Sequence, residues 1–183
     1  MQLNYQSVPV VAQVQRAAAE TADELSEIVW RERQSEVGGL VWGRLRRGPQ
    51  GPTVWVAAMT PGIGRGSAAE FEISPASFAA GIELLRAAGF PEGLDELGMW
   101  HSHPGYGAFL SAVDEEYFRL CYPQSWTVSI VIDPVRWERA IFVKSPLGLR
   151  EIPAYIHGGV RFGVVPELDP YRAWDAVKDA AHG

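Results

Sequence analysis

Two histidines stand one residue apart, His101 and His103, in the run "MWHSHPGYGAFLSAVDEEYF". A serine and an aspartate three residues apart, Ser111 and Asp114, follow just downstream. At i and i+2 of a strand two side chains point to the same face, so both imidazoles can share one ion. Zinc takes nitrogen and oxygen ligands in a tetrahedral site, and a catalytic zinc keeps one position open for water. A third protein ligand is then needed, and Asp114 is the best candidate. Pro104 and Gly105 can end the strand and turn the chain back, so that the next helix starts beside the histidines. Glu115 and Glu116 compete for the role but leave the helix in other directions. Ser111 has two readings. It is a helix cap, since Ser-x-x-Asp resembles a capping box, or its hydroxyl stabilises an oxyanion beside the metal. A metal-activated water also needs a general base. Glu32, Glu36, Glu70 and Glu72 are equal candidates by residue type.

The elements that must position these groups follow from periodicity. Val14, Ala18, Ala22, Leu25 and Val29 recur at spacings of three and four, which predicts a helix over 11–33. "EVGGLVWGRL" at 36–45 and "TVWVAAM" at 53–59 read as two strands of a hairpin, with "RRGPQGP" as the turn. The basic cluster at 43–48 is then a solvated turn. The stretch 60–68 is loop-like in composition, and "EFEI" at 70–73 alternates like a short strand. Ser74 and Pro75 predict a helix start, serine as cap and proline in the first turn, with a stop at Gly89. "ELGMWHSH" reads as a strand and 111–121 as a helix. "WTVSIVIDP" and "RAIFVKS" are further strands, "LREIPAYI" a weaker one, and "LDPYRAWDAVKDAAHG" a short closing helix. This order points to a single-domain α/β sandwich, a mixed β-sheet flanked by helices. Trp100 is expected to pack behind the site, with the other tryptophans in the core and at edges.

The totals narrow the function. The chain has 183 residues, enough for one domain with a real core. Its formal charge of −6 argues against general nucleic-acid binding, which relies on basic surface. No apolar run approaches the ~20 residues of a membrane helix, and the N-terminus lacks the pattern of a signal peptide. A cytoplasmic protein with no nucleic-acid or membrane partner is expected. The lone cysteine, Cys121, rules out an internal disulfide and a multi-cysteine zinc site. It reads as a buried or partly buried structural residue, and His157 and His182 as bystanders.

The pattern His-x-His, seven residues, Ser, two residues, Asp resembles the signature of the JAMM (MPN-plus, or JAB-domain) zinc metalloproteases. It looks most like the branch containing the proteasome-lid deubiquitinase and the signalosome isopeptidase. "EVGGL" matches that family's upstream glutamate context and selects Glu36 among the four candidates. The likeness covers residues 11 to about 150. It implies an MPN/JAB fold, cytidine-deaminase-like in its sandwich, over residues 1–157, with 158–183 as a C-terminal extension. It implies one catalytic Zn²⁺ per chain held by His101, His103 and Asp114, with Glu36 as general base and Ser111 steadying the tetrahedral intermediate. The implied reaction is hydrolysis of the amide bond after the C-terminal glycine of a ubiquitin-like protein, as deconjugation or processing. Sulfur-carrier processing and a non-catalytic scaffold of the same fold are the alternatives. A partner subunit or a homodimer is compatible with the family. This chain departs from the eukaryotic relatives at Ala108-Phe109, where they carry Cys-Trp, and has too few histidines and cysteines for a second, structural zinc. The resemblance and the glycine-rich loop at 61–67 together suggest an edge for an extended substrate tail, with Tyr106 or Phe109 lining the cleft.

Overall fold

The first helix begins at Arg16, and the residues before it are a strand. The computed structural model describes residues 8–49, 51–62, 64–66, 71–157 and 166–178. The chain runs β1 (Val11–Gln15), α1 (Arg16–Arg33), β2 (Gly38–Gly48), β3 (Gly51–Pro61), β4 (Gly64–Gly66) and β5 (Phe71–Ile73). It continues through α2 (Ala76–Ala87), β6 (Asp95–Ser102), α3 (Ala112–Cys121), β7 (Val128–Asp133) and β8 (Glu138–Ser145). β9 (Gly148–Glu151), β10 (Ala154–His157) and α4 (Pro170–Lys178) complete it.

Eight strands form one sheet in the order β10-β1-β3-β2-β6-β7-β8-β9, and β4 and β5 form a separate two-stranded ribbon. The pairs β1–β10, β1–β3 and β6–β7 are parallel and the others antiparallel, so the sheet is mixed. The two outermost strands, β9 and β10, are separated in the chain only by Ile152 and Pro153. Ile152 N donates to Ile141 O at 2.8 Å, and Ala12 N donates to the Pro153 carbonyl at 2.9 Å. The sheet is therefore curled, with its edges brought close. This is also why the expected single strand over 149–156 is two: Pro153 has no N–H to give to a ladder.

β1 corrects the expected helix over 11–33. Val14 fits a 3.6-residue stripe as well as a 2-residue alternation, and short apolar segments are ambiguous in this way. Parallel pairing on both sides, with β3 and β10, decides for the strand. The β2–β3 hairpin is longer than expected. Arg46 and Arg47 are paired opposite Thr53 and Pro52, so the arginines extend a strand and the pairing runs on to Gly48 and Gly51. The Arg46 guanidinium stacks 4.3 Å from the Trp55 ring centre, which lets a charged side chain cover apolar surface. The closing helix is present as α4, whose residues beyond 178 lie outside the described ones, as does His182.

α1 buries Ala18, Ala22, Leu25 and Val29 against the sheet in the main core, which Trp100, Val128, Ile130 and Ile132 share. α4 completes that core with Trp174 and Val177, and Trp174 Nε1 donates to Glu32 Oε2 at 2.9 Å. α2 lies over β2 and β3, where Leu85 joins Leu40, Trp42 and Ala58 in a second cluster. At Gly39 a side chain would run into the Thr60 carbonyl, so the β2–β3 approach next to Glu36 requires glycine. Among the described residues no helix is long and apolar enough to cross a membrane.

Candidate metal centre

Three chain segments meet at the end of β6. His101 is its penultimate residue, and His103 follows just past its end. His103 N donates to Ile132 O at 2.8 Å, so the pairing with β7 continues one residue beyond the strand and keeps both imidazoles on one face. α3 then starts beside them. Ser111 caps it: its Oγ accepts from Asp114 N at 3.2 Å, and Asp114 Oδ2 accepts from Ser111 N at 2.8 Å. The capping box holds the Asp114 carboxylate over the histidines. Glu115 is half-buried and Glu116 exposed, and neither joins the cluster.

The distances suit one ion. His101 Nε2 and His103 Nε2 are 3.1 Å apart. Each lies 3.4 Å from an Asp114 carboxylate oxygen. Ligands at ~2.05 Å around a tetrahedral zinc stand about 3.3 Å apart. The His101–His103 edge and the edge that each imidazole makes with its own Asp114 oxygen, Oδ1 for His101 and Oδ2 for His103, bracket that value. His101, His103 and Asp114 can thus hold a metal ion, with two buried imidazole nitrogens and a carboxylate turned toward one point.

Glu36 reaches the same point from the β2 side, its Oε1 3.9 Å from His103 Nε2. It is 3 % exposed, so its carboxylate sits in the site and not in solvent. Glu36 precedes β2, and Ser102 holds that segment in place. Val37 N donates to Ser102 Oγ at 3.0 Å, and Ser102 N donates to Val37 O at 2.8 Å. Among the rival glutamates, Glu32 is taken up by Trp174, Glu70 lies outside the described residues, and the Glu72 side chain is not described.

The electrostatics are those of an acid–base cluster out of water. Burial pushes the His101 imidazole down, and it outweighs the opposing pull of Asp114. For His103 burial also acts downward, but its hydrogen bond to Asp114 and the Glu36 charge together hold it above the ordinary histidine value. Burial alone would raise the Asp114 carboxyl. Hydrogen bonds from His101 and His103 outweigh it and hold the group far below the usual carboxylate range.

The loop after His103 is organised by a residue that the motif does not contain. Asp133, fully buried at the end of β7, accepts from Gly105 N at 2.9 Å, Gly107 N at 2.7 Å, Val135 N at 2.9 Å and Arg136 N at 3.0 Å. Gly105 and Gly107 have φ of 85° and 98°, which fits glycine and aims their amides at this carboxylate. The loop thus held places the Phe109 ring 5.1 Å from the His103 ring, while Tyr106 is mostly exposed. Sequence reading passed over Ser102 and Asp133. The only signal was a polar residue between two histidines and an aspartate closing a buried strand before proline.

Two other expectations are corrected. Cys121, the last residue of α3, is exposed and not buried as expected. Ser74 does not cap α2 with its side chain; Pro75 occupies the cap position, and Ser74 Oγ is buried with no hydrogen-bond partner among the described residues. Trp100, fully buried, does pack behind the site, its Nε1 donating to Thr60 O at 3.0 Å.

Residues 18–141 match the family model described as prokaryotic homologs of the JAB domain. The chain belongs to this family. Within the JAB relatives, it is 45% identical to COP9 signalosome complex subunit 5 of Eremothecium gossypii over 56 residues, 30% of this chain and 13% of that protein. It is 33% identical to 26S proteasome non-ATPase regulatory subunit 14 of Drosophila melanogaster over 104 residues, 55% of this chain and 32% of that protein. The matched stretches thus cover a third or less of these longer relatives. The solution structure of protein DSY2949 from Desulfitobacterium hafniense superposes with a TM-score of 0.61 at 19% identity, covering 83% of this chain and 97% of that one. That likeness is one of fold.

Proposed function

We propose that this JAB-family protein is a zinc-dependent peptidase that cleaves the amide bond after the C-terminal glycine of a ubiquitin-like protein, by deconjugation or by processing. The observation that carries this reading is the convergence of His101, His103 and Asp114 at 3.1–3.4 Å with the buried Glu36 beside them. A bound Zn²⁺ supplies Lewis acidity, which brings the pKa of a water from ~15.7 toward ~7 and polarises a carbonyl. The remaining roles fall to the chain. Glu36, with no bulk water around it, takes the proton of the attacking water and returns it to the leaving amine. The Ser111 hydroxyl oxygen already accepts from Asp114 N, so its own proton is left to donate to the developing oxyanion. His101 and His103 serve as ligands in their neutral form and Asp114 as a carboxylate. The low His101 and Asp114 values favour those forms.

In this reading the substrate tail runs along α3. Tyr117, three residues after Asp114 and so on the same side of α3, grips β5: its hydroxyl accepts from Ile73 N at 3.1 Å and donates to Ile73 O at 3.2 Å. One edge of β5 therefore faces α3 next to the metal cluster. Tyr117 thus takes both backbone groups of Ile73 on that edge, and a tail would run along α3 past this staple. The relatives named above are, by name, subunits of the signalosome and the proteasome, which supports a partner subunit for this chain as well. The family division expected at residue 157 is retained as part of this reading, with α4 docked on α1.

The test is zinc per chain, by elemental analysis of wild type and His103→Ala, followed by cleavage of ubiquitin-like fusions. About one zinc that His103→Ala removes, with zinc-dependent cleavage after a terminal glycine, is the expected result. No zinc taken up on addition would leave a scaffold.

A further inference from the structure

A cavity opens on the far half of α3, with a volume of about 350 Å³. It lies between α3 and the β5–α2 segment, over the start of β6. Its walls include four aromatic rings, Phe78, Tyr117, Tyr122 and Trp126. Among the described residues its lining holds one carboxylate, Glu96, and no lysine, arginine or histidine. Glu96 is hydrogen-bonded to Tyr122, and among the described residues it has no ion-pair partner. Burial raises its carboxyl above the ordinary glutamate value, against the opposing hydrogen bond from Tyr122. On the same wall, Ser74 Oγ is buried without a hydrogen-bond partner among the described residues. A half-buried carboxylate, an unused hydroxyl and aromatic faces all ask for the same occupant. A cation gains from the carboxylate and from the negative faces of the rings, and a guanidinium or ammonium also has protons for Ser74.

We infer that this cavity binds the side chain of an arginine or lysine in the peptide that lies along α3. That the occupant belongs to a peptide rests on the function proposed above; the cation preference rests on the cavity alone. The position follows from helix geometry. From Asp114 to Tyr122 is eight residues, or ~12 Å of α3 at ~1.5 Å per residue. An extended chain spans that in about four residues. The basic residue therefore lies about four positions before the cleaved bond. Glu96 acts here as a specificity residue and takes no part in the chemistry.

The test uses two otherwise identical octapeptides, alanine-based, one with arginine and one with citrulline, its neutral isostere, four residues from the C-terminus. Binding to the full chain is followed by amide NMR shifts, with and without added zinc. The arginine peptide is expected to bind at least about tenfold tighter, with shifts at Glu96, Gln124 and Thr127. In Glu96→Gln the two peptides are expected to bind equally. Equal binding to wild type, a preference that survives Glu96→Gln, or no binding of either peptide overturns the inference. If Glu96→Gln fails to fold, Glu96→Asp, which keeps the charge but withdraws it, is expected to lower the preference; an unchanged ratio counts against the cavity. Zinc uptake is measured on the same samples. Its loss in wild type would count against the metal centre and leave the cavity result standing, since the cation preference does not require the metal.

Discussion

Ser111 and Asp114 hold each other across the first turn of α3, through Asp114 N to Ser111 Oγ at 3.2 Å and Ser111 N to Asp114 Oδ2 at 2.8 Å. The helix cap and the catalytic hydroxyl are therefore not rival readings of one group. The cap uses the oxygen as acceptor and leaves the hydroxyl proton free for the proposed oxyanion role. Ser111→Ala is expected to lower stability by ~1 kcal/mol through loss of the cap. It should lower cleavage by a further ~10²-fold or more, with zinc retained. Denaturant unfolding, zinc analysis and turnover measure the three. A turnover close to wild type would leave Ser111 as a cap alone.

Glu36 carries no ligand in the three-residue cluster, so its loss should separate binding from chemistry. Glu36→Gln is expected to keep about one zinc per chain and to lose cleavage by ~10²-fold or more. Elemental analysis and initial rates decide it. Retained turnover would remove Glu36 from the mechanism.

Metal uptake should compete with a proton on His103. In the metal-free chain that imidazole is held above its ordinary value by Asp114 and Glu36, against the downward push of burial. A metal takes only the neutral ring, so affinity should fall about tenfold per pH unit below that raised value. Zinc competition with a chromophoric chelator across pH measures the slope. The stability signs are opposite for the two rings. His103, raised, contributes stability that is full below the unfolded value and is lost as pH rises through the folded one. His101, lowered by burial, contributes stability that is present above the unfolded value and is lost as pH falls through the lower, folded value. Zinc affinity that did not change between mildly acidic and mildly alkaline buffer would rule out His103 as a ligand.

Asp133 is expected to be the costliest single change outside the ligands. Its carboxylate satisfies four amides, at Gly105, Gly107, Val135 and Arg136. Asp133→Asn puts an amide group against four donors, and buried donors left unmet cost ~1–3 kcal/mol each. A loss of at least about 3 kcal/mol in chemical denaturation is expected. Zinc affinity should fall with it, because the same loop follows His103 directly. A near-neutral variant would show that the loop is held by its other contacts.

The sequence alone determined the types of the candidate ligands, their spacing and the local elements that carry them. His-x-His on a strand and Ser-x-x-Asp at a helix start are local patterns, readable because side-chain direction repeats every two residues in a strand and a cap acts within one turn. The strands β2, β3, β6, β7 and β8 and the helices α2 and α3 were legible for the same reason. What it left open was everything decided by distant partners. Val11–Gln15 became a strand only because β3 and β10 lie on either side of it. Among four like glutamates, residue chemistry could not choose Glu36; its place beside His103 depends on Ser102 holding Val37 across 65 residues of sequence. Asp133, the exposed face of Cys121 and the cavity at Glu96 were likewise settled by how the curled sheet brings α3, β6 and the β5–α2 segment together. Periodicity sets which way a side chain points from its own element. Only the packing of elements far apart in the chain sets what it meets there.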